Sequence, residues 1–490
     1  MSLAFIPLYI KFLGIEAYGL IGFFVTLLGL FGVLDLGLSS TINRELARYS
    51  ARGDDNQTMR DIVRTLEIIY LTIAVLIGVI VLSLSNFISH RWINAENLSI
   101  ETVERSVVLL GVAIAFQWPL SFYASGLTGL QKQVLFNILT CGLATLRGLG
   151  AALILWRVSP TIEAFFLWQI FVSLLGTAVM ALTLWRSLPA GSRRSRFDFP
   201  LLYSVRHFAA GVMGASVTWV ILSQLDKILL SALLPLKIFG YYMLAVTASS
   251  VLGNLFGPVY MALFPRFSQL VELNDKEGLI RIYHRACQLT SIIILPVASV
   301  LAVFSYKIMS LWTGDSAVAE NTHILVTLLV IGTALHGLTH LPYALQLAHG
   351  WSSLCFYFNV VAALLLVPML FFMVHYYQAV GAAIVWVTLN AGYVFFDIMI
   401  MHRWLLKGQQ WKWYLEDVGR PLSAILVVSG FAYWLFPRGS SAFVTVIYLA
   451  GVLSASFLFA AMAAPQMQEL LKQHLFSKLR SICYGYEKAN

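Results

Sequence analysis

Apolar runs of membrane-spanning length recur from one end of this chain to the other, and that recurrence decides its fold class before any motif is considered. Of its 490 residues 59% are hydrophobic and 11% charged, too little polar surface for a water-soluble chain of this length. In lipid only helices or closed barrels satisfy every backbone N–H and C=O. Barrel strands alternate apolar and polar residues, whereas Ile68 to Leu84 is apolar on both faces, so the spans are helices. The expected fold is an all-α polytopic membrane protein.

Spans of about 20 residues, matched to a core about 30 Å thick, place fourteen transmembrane helices near 1–13, 18–40, 63–84, 107–127, 134–156, 165–185, 208–233, 239–264, 289–304, 323–347, 356–374, 382–401, 422–436 and 443–463. With the chain starting inside, the cytoplasmic segments hold 23 of the 32 Lys and Arg and the outer connections 7. That asymmetry predicts both termini in the cytoplasm. The net charge of +9 therefore reads as topology and contact with anionic lipid, and not as nucleic-acid binding, which needs one concentrated basic face. Trp92, Trp156, Trp185, Trp312, Trp351, Trp404, Trp411, Trp413 and Trp434 fall near helix ends, as interfacial anchors do.

The connections exclude several function classes. The longest outer one, Ser85 to Ser106, is too small to fold a catalytic domain. No phosphate loop, dinucleotide fingerprint, GxSxG or HExxH occurs in the sequence, so neither a catalytic residue nor a cofactor is expected. Cys141, Cys287, Cys355 and Cys483 lack the close spacing of a zinc or redox pair. His336 and His340 lie four apart, a metal-compatible spacing, but no carboxylate or Cys nearby in sequence completes a site; hydrogen bonding inside the bundle is the better account.

A faint repeat divides the chain. Leu13-Gly14-Ile15-Glu16-Ala17-Tyr18-Gly19 is echoed by Leu234-Pro235-Leu236-Lys237-Ile238-Phe239-Gly240 at an offset of 221, and Asn137 by Asn359 at 222. Six helices separate the equivalents, and an even number gives parallel repeats about an axis along the membrane normal. Two six-helix lobes, 1–200 and 201–401, are expected around a central cavity, with residues 402–490 holding helices 13 and 14 and a basic cytoplasmic tail. The small, basic stretch Leu188 to Arg196 falls where the halves divide.

Five segments carry a resemblance. Pro7 to Gly19, followed by Asp35-Leu36-Gly37-Leu38 and Asn43-Arg44-Glu45-Leu46-Ala47-Arg48, resembles the opening of Wzx-type O-antigen and polysaccharide flippases of the multidrug/oligosaccharidyl-lipid/polysaccharide exporter superfamily. Gly126 to Gln133 and Gln224-Leu225-Asp226-Lys227 are similar to further segments of that family. The resemblance implies a non-enzymatic flippase of the bacterial inner membrane that moves a polyprenyl-diphosphate-linked oligosaccharide from the cytoplasmic to the periplasmic leaflet. A multidrug exporter or a lipid II flippase of the same fold is the alternative; a membrane-embedded transferase or polysaccharide-assembly scaffold is the more distant one. Implied partners are the lipid-linked substrate, membrane lipids, H+ or Na+, and polysaccharide polymerase and assembly proteins. The first apolar run, about a dozen residues or about 18 Å of helix, is short for a span, which leads us to expect further apolar codons upstream of Met1.

Two basic residues remain inside the membrane. Arg147 in helix 5 shares a face with Asn137 and Thr140; Lys227 in helix 7 shares a stripe with Ser216, Trp219 and Ser223. A charge at the bilayer centre costs roughly 2.5–3.5 kcal/mol on insertion scales, so each must face a wet cavity or a partner. Arg147, Lys227, Asn137, Trp219 and Asn254 are the candidate contacts for a diphosphate head group. Adjacent Asp226 could instead pair with Lys227. Asp35 (with Ser39 and Asn43), Asp226 and Asp397 (with Asn390 and Tyr393) are candidates for a coupling ion, or for helix capping and charge balance. Ser250, Asn254 and the Gly253 to Pro258 break suggest a bent, closely packed helix 8.

Overall fold

The computed structural model describes residues 3–52, 56–437 and 439–468; the side chains of residues 51, 52, 204–219, 221 and 352 are outside the description. Among the described residues there is no strand, only an isolated bridge between Asn94 and Pro235. The helices are α1 (Ile6–Phe31), α2 (Leu38–Arg52), α3 (Asn56–Phe87), α4 (Ile100–Gln117), α5 (Leu120–Gly129), α6 (Gln133–Arg157), α7 (Ile162–Ser187), α8 (Phe199–Leu233), α9 (Leu236–Ser249), α10 (Gly253–Glu272), α11 (Lys276–Val303), α12 (Ser305–Thr313), α13 (Ser316–Ala348), α14 (Ser352–Gly392), α15 (Ile398–Trp404), α16 (Gln410–Lys412), α17 (Arg420–Trp434) and α18 (Ala442–Ala463).

Ten stretches among the described residues are long and apolar enough to cross a membrane; two of them each cover two expected spans, and α8 and α17 lie outside the ten, so the number is compatible with fourteen. Leu3–Asp35 joins the first two expected spans and Ser353–Trp404 joins the eleventh and twelfth. The breaks shrink to single residues, Gly14 (φ 80°) inside α1 and Gln378 (φ 51°) inside α14. Both sit in the left-handed region, where the chain leaves one helix and enters the next without a loop. The thirteenth, α17, has 15 residues. The expected bend in helix 8 appears as a 3-10 turn at Ser250–Leu252.

Acidic and hydroxyl side chains start the helices where the sequence leaves the apolar runs. Ser99, Asp198, Asp275 and Asp315 each accept a backbone N–H in the first turn of α4, α8, α11 and α13, satisfying donors that no helical carbonyl reaches.

The chain forms two compact units, Met1–Met243 and Leu244–Asn490. In the first, α4 packs on α3 and α7, and α2 on α5; Tyr70 stacks on Trp118 with ring centroids 4.0 Å apart. The basic stretch after α7 is strapped to α3. Arg60 donates to Pro189 O (3.3 Å), Arg193 Nη2 to Asp61 Oδ2 (2.6 Å), the Arg196 N–H to Asp61 Oδ1 (3.0 Å), and the Asp198 N–H to Thr65 Oγ1 (2.9 Å). In the second unit, α10, α11, α13, α15, the π-helical turn Trp413–Gly419 and α17 bury a core that includes Phe267, Tyr283, Leu345, Ile398, Met401, Trp413 and Ile425.

Candidate functional site

Arg147 sits in the middle of α6, partly buried, in a wall formed with α4 and α7. Its Nη2 donates to Ser173 Oγ (3.3 Å), and Ser173 Oγ in turn reaches Gln117 Oε1 (3.4 Å). Tyr9 OH donates to Gly148 O one residue on, at 2.9 Å. All these partners are neutral, and Ser173 takes one of the five donors on the guanidinium fork. No carboxylate pairs with Arg147 among the described residues. One turn before Ser173, Gln169 is fully buried with neither amide atom hydrogen-bonded. The result is a cation on a polar seam of α4, α6 and α7, with no carboxylate partner among the described residues. Asn137, ten residues before Arg147 on α6, is exposed.

Lys227 is spent locally. Its Nζ donates to Asp226 Oδ1 (3.0 Å) and to Ser223 O (2.5 Å), while Tyr242 OH donates to the other Asp226 oxygen (2.5 Å). Asp226 and Lys227 therefore neutralise each other. No hydrogen bond or ion pair joins them to Arg147 among the described residues. The side chain of Trp219 lies outside the described residues.

Asp35 closes the 3-10 turn Gly32–Asp35 and accepts from Ser39 Oγ and Tyr70 OH, each at 2.5 Å; Tyr70 OH lies 2.8 Å from Ser121 Oγ. The Ser39 N–H also points at it (3.3 Å), so the carboxylate caps the start of α2. Ser39 was legible as a partner; Tyr70 and Ser121, brought in by α3 and α5, were not.

In the second unit Asp397 is 7% exposed and closes a π-helical turn, Tyr393–Asp397. Gln346 Nε2 donates to its Oδ2 at 2.9 Å. Tyr393 OH donates to Asn359 Oδ1 (2.6 Å), while Asn390 turns to its own helix and donates to Trp386 O (2.8 Å). Asn254 is exposed at the start of α10. His336 and His340 stack edge-on, centroids 4.7 Å apart, with Phe256 against both. Among the described residues no group of three His, Cys, Asp or Glu side chains is placed to hold a metal.

Sequence reasoning passed over buried acids whose partners are distant in the chain. Glu67 accepts from Tyr123 OH (2.9 Å) and Trp185 Nε1 (3.0 Å) and pairs with Arg64 (2.8 Å). Glu16, in the repeated turn, accepts the Glu96 and Asn97 N–H groups (2.6 and 3.0 Å). The local signal was the charge itself near the end of an apolar run.

Residues 1–271 match the family described as polysaccharide biosynthesis protein. A Shigella flexneri protein described as "Putative O-antigen transporter" is 21% identical over 375 residues, covering 76% of this chain and 87% of that protein. "Uncharacterized membrane protein EpsK" of Bacillus subtilis (strain 168) is 22% identical over 326 residues, 64% of this chain and 62% of EpsK. Among solved structures, the lipid II flippase MurJ in an inward closed conformation aligns with a TM-score of 0.71 at 11% identity, over 96% of this chain and 97% of MurJ. An inward-facing multidrug resistance MATE family transporter of the MOP superfamily aligns at 0.67 with 15% identity, over 82% of this chain and 95% of its own. These likenesses establish a polytopic helical fold shared with transporters.

Proposed function

The chain belongs to the polysaccharide biosynthesis protein family, and on that premise we propose that it flips a polyprenyl-diphosphate-linked oligosaccharide, an O-antigen or other polysaccharide repeat unit. The proposed direction is from the cytoplasmic to the periplasmic leaflet of the bacterial inner membrane, with both termini cytoplasmic and no covalent chemistry. The two repeats would alternate access, driven by H+ or Na+, and hand the unit to polysaccharide polymerase and assembly proteins.

The observation that carries this reading is Arg147. A guanidinium at mid-helix, held by hydroxyl and amide groups and left without a carboxylate among the described residues, keeps its charge for a ligand. A diphosphate matches the fork in sign and geometry. A cationic drug does not, which disfavours the multidrug alternative. Because Lys227 is neutralised by Asp226, recognition of the head group rests on Arg147.

Arg147→Ala should abolish complementation of a flippase-null strain at normal protein level, and Arg147→Lys should keep part of it, since the charge survives while the bidentate fork is lost. Full complementation by the Ala variant would remove Arg147 from the substrate path. Loss of both variants from the membrane would make the residue structural.

A lipid II flippase is the second reading, favoured by the near-complete coverage of MurJ, which extends over more of this chain than the MATE alignment does. The two readings separate by whether an O-unit flippase-null strain or a MurJ-depleted strain is rescued.

A further inference from the structure

Asp397 and Gln346 leave two oxygens without a donor, and both belong to the same pair. Gln346 Nε2 donates to Asp397 Oδ2 at 2.9 Å, yet Asp397 Oδ1 and Gln346 Oε1 are buried with no hydrogen-bond partner. Gln346 is 0% exposed and Asp397 7%. Among the described residues no Lys, Arg or His forms an ion pair with Asp397. An ionised carboxylate so placed is charged, dry and held by one donor, the arrangement a protein interior penalises most.

We propose that Asp397 and Gln346 form an intramembrane proton-binding site, in which a proton on Asp397 Oδ1 is donated to Gln346 Oε1. One proton closes an acid–amide ring with two complementary hydrogen bonds and satisfies both orphan oxygens at once. No bond other than O–H is made, and the charge is removed from the core.

The surroundings fit a proton better than a metal cation. The titratable neighbours are Cys355 and Tyr393, both within electrostatic reach of Asp397. His336 of α13 lies against Asn390 instead, and His402 of α15 has its Nδ1 2.8 Å from Ile398 O. A hard cation gathers several oxygens. The next orphan oxygen, Asn390 Oδ1, belongs to a residue seven positions earlier, roughly 10 Å along the helix axis. Asp397 also ends a π-helical turn, in which Tyr414 OH caps the Val394 carbonyl at 2.7 Å. Such turns interrupt the regular ladder and occur often at functional sites. Use of the proton to drive export rests on the flippase reading; the protonation itself does not.

The test is infrared spectroscopy of the purified full chain in nanodiscs at neutral pH, read in H2O and D2O for the C=O stretch of a protonated carboxylic acid. The wild type should show a deuterium-sensitive acid band, and Asp397→Asn should lose it, because the amide supplies the same donor without a proton to give up. Gln346→Leu should keep the band and shift it, the ring partner being gone; this variant tests the site even if Asp397→Asn fails to accumulate. An acid band absent from wild type, unchanged in Asp397→Asn and Gln346→Leu, or replaced by a carboxylate band on adding Na+ at fixed pH would overturn the proposal. None of these outcomes depends on whether Arg147 variants complement, so the failure of the proton site and the failure of the flippase reading are told apart.

Discussion

A Cβ at Gly19 would strike the carbonyl oxygen of Leu236, and one at Gly240 would strike the carbonyl oxygen of Ile15. The offset of 221 relates Ile15 to Leu236 and Gly19 to Gly240, so the contact is reciprocal: each glycine meets the partner turn at the position its counterpart meets in return. Two turns related by a local two-fold make that pattern, and it gives the few identities of the repeat a physical cause. Only glycine lets the backbones approach so closely. Gly240→Leu should therefore destabilise the protein by about 1–3 kcal/mol through overpacking, read as a lowered melting temperature in detergent. Gly142→Ala on α6, where a Cβ meets nothing within 4 Å, is the neutral control. An unchanged melting temperature for Gly240→Leu would mean that the turns part without cost. At this scale the sequence was partly legible. Asp226 and Lys227 are adjacent, and their pairing could be read directly; Asp35 with Tyr70 and Asp61 with Arg193 are separated by 35 and 132 residues, so folding alone brings them together.

Helices were the most legible level, because a run of twenty apolar residues has few other fates. What the runs did not disclose is how they join. Single residues, Gly14 and Gln378, end one helix and start the next, and no turn signal marks Gln378. Nor did they disclose how α17 and α18 are held. Asp417, in the π-helical turn Trp413–Gly419, lies 2.5 Å from His284 Nδ1 and accepts from Gln288 Nε2 (2.9 Å); His284 Nε2 faces Gln409 Oε1 (3.0 Å), and Gln288 Oε1 accepts the Gln466 N–H (3.0 Å). Burial holds the Asp417 carboxyl above its ordinary value, against the downward pull of His284 and Gln288. This network ties both ends of the C-terminal pair to α11. Removing one partner of a buried pair strands the other, at about 3–5 kcal/mol. Asp417→Ala should therefore loosen α17 and α18, seen as faster hydrogen exchange confined to residues 413–463, while Asp417→Asn keeps an acceptor and loses less. Exchange in the Ala variant matching wild type would show that apolar packing alone holds the pair.

For the whole molecule, composition alone made a polytopic bundle legible, and the family match and shared transporter fold bear it out. The substrate is less legible because one cation, Arg147, carries the argument, and its environment of Ser173, Gln117 and Tyr9 comes from three other helices. The central claim is translocation of a lipid-linked oligosaccharide through recognition of its diphosphate. The direct measurement uses proteoliposomes holding a polyprenyl-diphosphate oligosaccharide in both leaflets, with a membrane-impermeant glycosidase outside. Wild-type protein should make the inner pool accessible, raising cleavage from about half to nearly all, and Arg147→Ala should leave it at about half. Wild-type vesicles in which the inner pool stays protected, or Arg147→Ala vesicles that expose it at the wild-type rate, would contradict the account.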